Sequence, residues 1–321
     1  MFKNAYTNHP DTRTPKEVFP KVLGDLMTKD RDVVYLDADL MNSIGTGGFV
    51  GKYPGQAFDV GVQEANMIGM AAGMSAEGKI PYVHTFGPFA SRRLYDQVFL
   101  SVAYAKNNVR IIGSDPGVTA AYNGGTHMPF EDIALYRAIP DAVIFDIVDA
   151  TQFEQVLKLS KDFFGLVYIR TPRKKVIKVY SDDSQFTIGK ANVLREGTHV
   201  TIVASGIMVA VALEAAMMLA EENISVEVID PVTIKPLDEE TILASARKTG
   251  AVVTAENANI HGGLGDAVAS VLSCNLPTPL RKVGIQDEFG EVGTEEYLRE
   301  RFRLTPDEII NKVKEVMSMG R

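Results

Sequence analysis

The stretch 58-FDVGVQEANMIGMAAGMSAEGKIPYVHTFGPFASRR-93 decides how the rest of the chain is read. Phe58 to Val62 is a short apolar run that closes in a turn. A lone acid, Glu64, opens a helix of small residues and methionines, Met67, Ile68, Gly69, Met70, Ala71, Ala72, Gly73 and Met74. The strand Ile80–His84 follows, then Thr85-Phe86-Gly87-Pro88-Phe89. Two glycines in eight positions give that helix poor intrinsic propensity. Its small residues therefore predict close packing against another helix, as at a subunit interface. An acid in a first helical turn is ordinarily a partner of the helix dipole. Two phenylalanines after a strand are ordinarily core. Taken alone, Glu64, Phe86 and Phe89 leave those readings open.

Outward from this stretch the chain is that of an ordinary globular protein. Its 321 residues predict one or two domains, and 45% hydrophobic with 23% charged residues fits a soluble fold. The net charge of −8 and the lack of a basic run argue against nucleic acid. Arg170-Thr-Pro-Arg173-Lys174-Lys175 is the densest basic cluster and reads as a solvated linker beside a proline. Cys274 is the single cysteine, which excludes an intrachain disulfide and fits a reducing, cytoplasmic setting. No charged-then-apolar leader is read at the start of the sequence. Val200 to Ala220 is apolar enough to raise the question of a membrane span. The Ser205-Gly206 turn divides it into a strand and a helix, so no membrane is expected.

Strands alternate with helices throughout. Thr14-Pro15-Lys16-Glu17 is a capping box with proline in the first turn, opening a helix through Leu26. Val33–Leu36 is a buried strand whose Asp37-Ala38-Asp39 end leads into a glycine-rich loop, Leu40 to Gly51. Val109–Gly113 is a strand running into a long loop, Ser114 to Pro129. Glu131–Arg137 reads as a helix, Ala142–Phe145 as a strand, Asp149–Lys161 as an Asp-capped helix and Leu166–Ile169 as a strand. After a polar segment come the strands Val200–Ala204, Val226–Ile229, Ala251–Ala255 and Leu280–Gly284, with helices between them. A tail helix starts at Thr305. The fold class expected is α/β, in two domains, each a mostly parallel sheet flanked by helices. The boundaries expected are residues 1–175, a linker over 176–190, and residues 191–321. The carboxyl edges of such sheets are where ligands bind.

Several motifs together carry a resemblance. They are Gly61-Val62-Gln63-Glu64-Ala65-Asn66-Met67, Ala71-Ala72-Gly73, Thr85-Phe86-x-x-Phe89, Asp96-Gln97, Asn123-Gly-x-Thr126-His127, and Glu131-Asp-Ile-Ala-Leu-x-Arg-x-Ile-Pro140. The chain resembles thiamine-diphosphate enzymes of the transketolase family over nearly its whole length. It matches their pyrimidine-binding domain followed by their C-terminal domain. The resemblance implies that Glu64 hydrogen-bonds a ring nitrogen of the cofactor's aminopyrimidine and that Phe86 and Phe89 line the pocket where that ring stacks. The physics agrees. A buried carboxyl sharing a proton with the ring favours the tautomer that serves as base, and flat aromatic faces suit a flat heterocycle.

By the same resemblance, His127 contacts the donor ketose near its reacting carbon. Arg13, Ser43 and Arg170 match positions that hold a terminal phosphate, and Asp39 matches an acid beside the cofactor. Guanidinium groups and a hydroxyl suit such a dianion. His84 stands where it could face the cofactor pocket. His261-Gly-Gly-Leu-Gly265 lacks the third glycine and downstream acid of a dinucleotide fingerprint and reads as a close-packed turn.

The Gly-Asp-Gly motif, through which the family holds magnesium or calcium on the diphosphate, does not occur here. The expected protein is thus the C-terminal subunit of a split transketolase, transferring a two-carbon ketol unit from a ketose to an aldose. An N-terminal subunit with Gly-Asp-Gly would complete it and hold the metal, with two copies of each chain. The alternatives are the matching subunit of a 1-deoxyxylulose-5-phosphate synthase-like or 2-oxoacid dehydrogenase-like enzyme, or a regulatory relic of the fold. The joint presence of Glu64, Phe86 and Phe89 argues against a relic. The sequence departs from the family pattern at two substrate positions. Asp115 stands in place of a phosphate-contacting histidine, and Asn123 in place of an aspartate that reads a sugar hydroxyl. An ionised Asp115 would repel a phosphate dianion, so an end group other than that of the usual pentose phosphates is expected.

Overall fold

The computed structural model describes residues 2–319. Its strands, in chain order, are β1 (Val33–Asp37), β2 (Ala57–Asp59), β3 (Ile80–Phe86), β4 (Val109–Ser114), β5 (Val143–Asp146), β6 (Leu166–Thr171), β7 (Asn192–Arg195), β8 (Val200–Ala204), β9 (Val226–Asp230), β10 (Thr233–Lys235), β11 (Val252–Asn259) and β12 (Leu280–Ile285). They form two sheets, ordered β10-β5-β6-β4-β3-β1-β2 and β12-β11-β8-β9-β7. Within each, all pairs are parallel except those of the edge strands β10 and β7. The α/β reading is correct for both halves.

β1, β4, β5 and β6 are buried along their whole length, as parallel strands covered on both faces must be. Helix Pro15–Lys29 starts as its sequence dictates, with Thr14 and Glu17 capping each other's backbone. Helix Ala150–Asp162 is capped by Asp149, whose Oδ1 accepts from the Gln152 N–H at 2.8 Å. Arg110, buried on β4, donates to the carbonyls of Ser160, Asn108, Lys161 and Phe163, so its charge rests on the end of that helix.

The structure adds elements that periodicity does not reveal. The glycine-rich loop holds two one-turn helices, Met41–Ile44 and Phe49–Lys52, and Glu295–Arg301 is a further helix. β7 and β10 are strands of four and three residues. β10 lies between Pro231 and Pro236, where the prolines signal a turn. It leaves the second half of the chain to pair antiparallel with β5 of the first sheet, Thr233 opposite Phe145.

Asp230, at the end of β9, is the buried joint between the halves. Its Oδ2 accepts from Gln152 Nε2 at 2.8 Å and from the Tyr180 hydroxyl, and its Oδ1 accepts from the Val232 N–H. Burial pushes its carboxyl from the usual 3.8 up to about 7, against the pull of those hydrogen bonds. A folded state that keeps a proton the unfolded chain has lost is favoured at low pH. This contribution is full below about pH 3.8 and is lost as pH rises to about 7. Urea unfolding should therefore show stability falling between roughly pH 4 and pH 7, and Asp230→Asn should flatten that slope. Glu256, which burial also pushes up to about 7, contributes to the slope that remains, together with Asp146 and Asp149, whose carboxyls burial also raises.

Candidate active site

The carboxyl ends of β1, β3, β4 and β6 lie side by side, with Asp37 opposite His84, Phe86 opposite Ser114, and Ser114 opposite Thr171. This edge gathers most of the residues singled out from the sequence. Glu64 is the first residue of helix Glu64–Ala76 and is 2% exposed. Its Oε1 accepts from Arg93 Nη1 at 2.8 Å and from Thr85 Oγ1 at 3.5 Å. Beyond β3, the Phe86 and Phe89 rings lie 6.5 Å apart. The His127 ring stands edge-on to both, at 6.1 and 5.2 Å. Thr126 Oγ1 lies 2.9 Å from His127 Nδ1, which leaves Nε2 for another partner.

Planar cations lie over both phenylalanine faces. The Arg93 guanidinium is 3.8 Å from the Phe89 centroid, and that of Arg173 is 4.8 Å from Phe86. The rings thus present faces wide enough for a flat charged group, with a buried carboxyl beside them. A buried carboxyl beside two aromatic rings suits a flat, hydrogen-bonding heterocycle.

A second layer holds this edge in register. Asp37 Oδ2 accepts from the Tyr35 hydroxyl at 2.6 Å and lies 2.7 Å from His84 Nδ1, while His84 Nε2 lies 3.0 Å from Ser114 Oγ. Tyr35, Asp37, His84 and Ser114 are all fully buried. His84 is therefore beneath the pocket and not on its wall. Asp39 is exposed, in a left-handed conformation (φ 62°), and donates its N–H to Asp59 Oδ1.

The residues matched to an anionic end group are not brought together. Arg13 turns to helix Ala150–Asp162, donating to Glu154 Oε2 at 2.7 Å and Thr151 Oγ1 at 2.9 Å, and lies 3.2 Å from Asp182. Arg170 is fully buried. Its Nε donates to Asp132 Oδ2 at 2.7 Å, its Nη1 lies 3.1 Å from Asp146 Oδ1, and its Nη2 donates to the Asn257 carbonyl at 2.8 Å. Fully buried against Asp132, Asp146 and the Asn257 carbonyl, Arg170 does not reach the pocket, in contrast to the sequence-based match. Burial works against the charged guanidinium, and Asp132 and Asp146 more than offset it, raising its pKa above the ordinary arginine value.

Arg173, three residues on, stands at the pocket instead. Its Nε donates to Asp115 Oδ2 at 2.9 Å, its Nη2 to the same oxygen, and its Nη1 to the Ser43 carbonyl at 3.1 Å. Its signal was present in the basic cluster after β6, which composition alone assigns to solvent. Asn123 is exposed on the loop that carries His127.

That loop is anchored by the second sheet. Asn257 on β11 accepts from the Val118 N–H and donates to the Pro116 carbonyl, and the Asn259 N–H donates to the Phe130 carbonyl. Gly125 packs so closely on Gly290 that a Cβ would lie 2.1 Å from the Gly290 carbonyl oxygen. The His261–Gly265 turn receives Arg137 at the Gly262 and Gly263 carbonyls. Among the described residues, no group of three or more His, Cys, Asp and Glu side chains is placed to hold a metal ion. No helix among them is long and apolar enough to cross a membrane.

With this geometry established, residues 12–178 match the model of the transketolase pyrimidine binding domain and residues 189–309 that of the transketolase C-terminal domain. A 6-deoxy-6-sulfo-D-fructose transketolase subunit, SqwH, of Clostridium sp. (strain MSTE9) is 52% identical over 301 residues, 94% of each chain. One of the chains of an apulose-4-phosphate transketolase from Phocaeicola vulgatus is 38% identical over 274 residues, 85% of this chain and 88% of that one. A solved structure described as a split gene transketolase, inactive beta4 tetramer, superposes with a TM-score of 0.89 at 42% identity. The match covers 96% of this chain and 99% of that one.

Removing one partner of a buried charge cluster leaves the others uncompensated, at a cost of about 3 to 5 kcal/mol. Arg170→Met should lose stability of that order in urea unfolding, because it strands Asp132 and Asp146.

Proposed function

This chain belongs to the transketolase family, and we propose that it is the C-terminal subunit of a split, thiamine diphosphate-dependent transketolase. It moves a two-carbon ketol unit from an anionic ketose to an aldose. The observation that carries this is the buried Glu64 carboxylate beside the Phe86–Phe89 pair, with His127 closing the same pocket. Transketolases depend on thiamine diphosphate, and this chain's residues fit its pyrimidine half. When bound, the cofactor supplies the nucleophilic carbon and the electron sink for breaking the ketose carbon–carbon bond.

The rest is done by side chains. Glu64 holds a proton against a ring nitrogen, and its burial keeps that hydrogen bond from competing with water. Phe86 and Phe89 clamp the ring by stacking. Arg93, which now bonds Glu64 and covers Phe89, has to yield both to the pyrimidine. His127, its Nδ1 turned to Thr126, presents Nε2 to the substrate oxygen whose proton moves as the bond breaks. Ser43 and Arg173 receive the anionic end. The relative named for a 6-sulfonated fructose makes that ketose the first donor to assay.

The diphosphate and its magnesium or calcium ion belong to an N-terminal partner that carries Gly-Asp-Gly, in an assembly of two copies of each chain. The open faces of Gly69 and Gly73 on helix Glu64–Ala76, with no atom within 4 Å of a Cβ, leave room for the backbone of another subunit there. The division into residues 1–175, a linker and 191–321 is kept as the working domain scheme, with β10 crossing it.

Purified alone, the chain should show no ketol transfer, and adding the partner subunit should produce it. Glu64→Gln in the assembled complex should then lower kcat by about a hundredfold or more, with circular dichroism and assembly unchanged. Near-normal turnover by that variant would remove Glu64 from the mechanism.

A further inference from the structure

We propose that Asp115 is a charge selector, fitting the end-group site to an anion bearing one negative charge and disfavouring a dianion. This rests on the reading above that Arg173 and Ser43 receive the end of the ketose.

Three features of the pair carry it. The two groups are locked together: Arg173 Nε and Nη2 both donate to Asp115 Oδ2, while Nη1 is held by the Ser43 carbonyl and the guanidinium plane lies over Phe86. Nor can Asp115 swing away. It is 4% exposed, follows β4 in a left-handed conformation (φ 57°), and its N–H donates to the Thr171 carbonyl at 3.0 Å. Finally, the other arginines matched to this role are neutralised elsewhere, Arg13 by Glu154 and Asp182 and Arg170 by Asp132 and Asp146.

The charged and titratable groups around the pair are few. Lys16 bonds the Asn42 carbonyl beside Ser43, and His127 stands across Phe86. Asp37 and His84 are sealed beneath Ser114. A guanidinium already matched by one carboxylate still offers two N–H groups to an incoming anion but no surplus charge. A sulfonate, with three oxygens and a single charge, uses those donors. A phosphate ester at neutral pH carries up to one charge more, and that charge meets Asp115 at close range in a half-buried site.

The test uses the chain assembled with its partner subunit and three ketoses on one carbon skeleton: 6-deoxy-6-sulfofructose, fructose 6-phosphate and fructose 6-sulfate. The sulfate ester has the length and shape of the phosphate and the charge of the sulfonate. Charge selection predicts that kcat/KM for both the sulfonate and the sulfate ester exceeds that for the phosphate by about tenfold or more at pH 7.5. Lowering the pH to 5.5 protonates the phosphate, whose second pKa is near 6, and should narrow the ratio. Using the ratio cancels pH effects common to all three substrates. Asp115→Asn should lift phosphate turnover relative to sulfonate by a similar factor. A sulfate ester as poor as the phosphate overturns the inference, because selection then follows shape. Equal turnover of all three overturns it while leaving ketol transfer standing, whereas turnover of none overturns the functional reading beneath it.

Discussion

The pocket depends on a charge that never sees solvent. Arg170 lies inside the protein with Asp132 and Asp146 on two of its sides and the Asn257 carbonyl on a third. The arginine and its partners come from four places: β6, the helix after the substrate loop, β5, and β11 of the second sheet. Asp146 in turn accepts from Ser205 Oγ at 2.8 Å, and Asp132 from the Tyr168 hydroxyl at 2.7 Å. An isolated buried guanidinium would be prohibitive, so each carboxylate has to be in place for the others to be tolerated. The cluster therefore behaves as a lock, fixing how the two sheets meet.

That lock explains what the second half of the chain contributes. Among the described residues, none of its side chains hydrogen-bonds Glu64 or pairs as a ring or cation with Phe86 or Phe89. It holds the loop from Pro116 to Phe130 by both ends, through Asn257 and Asn259, and seats its middle on Gly290. His127 keeps its place against the two phenylalanines because the backbone on either side of it is pinned from across the domain boundary. Orientation supplied from a distance is still orientation, and catalysis by positioning is sensitive to shifts of an ångström.

Much of this was legible in the sequence, for identifiable reasons. Parallel strands buried on both faces read as short, mostly apolar runs, so β1, β4, β6, β8 and β9 stand out despite Arg110 in β4 and Glu227 in β9. Thr14 and Asp149 announce their helices through side-chain caps. Glu64, Phe86, Phe89 and His127 carry motif spacing that survives without coordinates. Three-dimensional competition for partners does not show in a linear pattern. Arg13, Arg170 and Arg173 are equally basic on paper, and only the placement of Glu154, Asp132 and Asp115 decides which one faces the pocket. Likewise Asp37 and Asp39 are two residues apart, yet one is sealed against His84 and the other exposed. Short edge strands such as β10 have too few residues to show a period.

β10 gives the two halves a mechanical relation that a linker alone would not. Three residues from beyond residue 230 close the exposed side of β5, the last parallel strand of the first sheet. Severed near residue 180, the first half would expose β5's row of unpaired amides and carbonyls, over the apolar run Val143-Ile144-Phe145. That is the kind of edge along which chains stack into aggregates. The two halves are thus co-dependent in solubility as well as in shape. Swapping either one into a chimaera requires carrying Thr233–Lys235 with the sheet it seals.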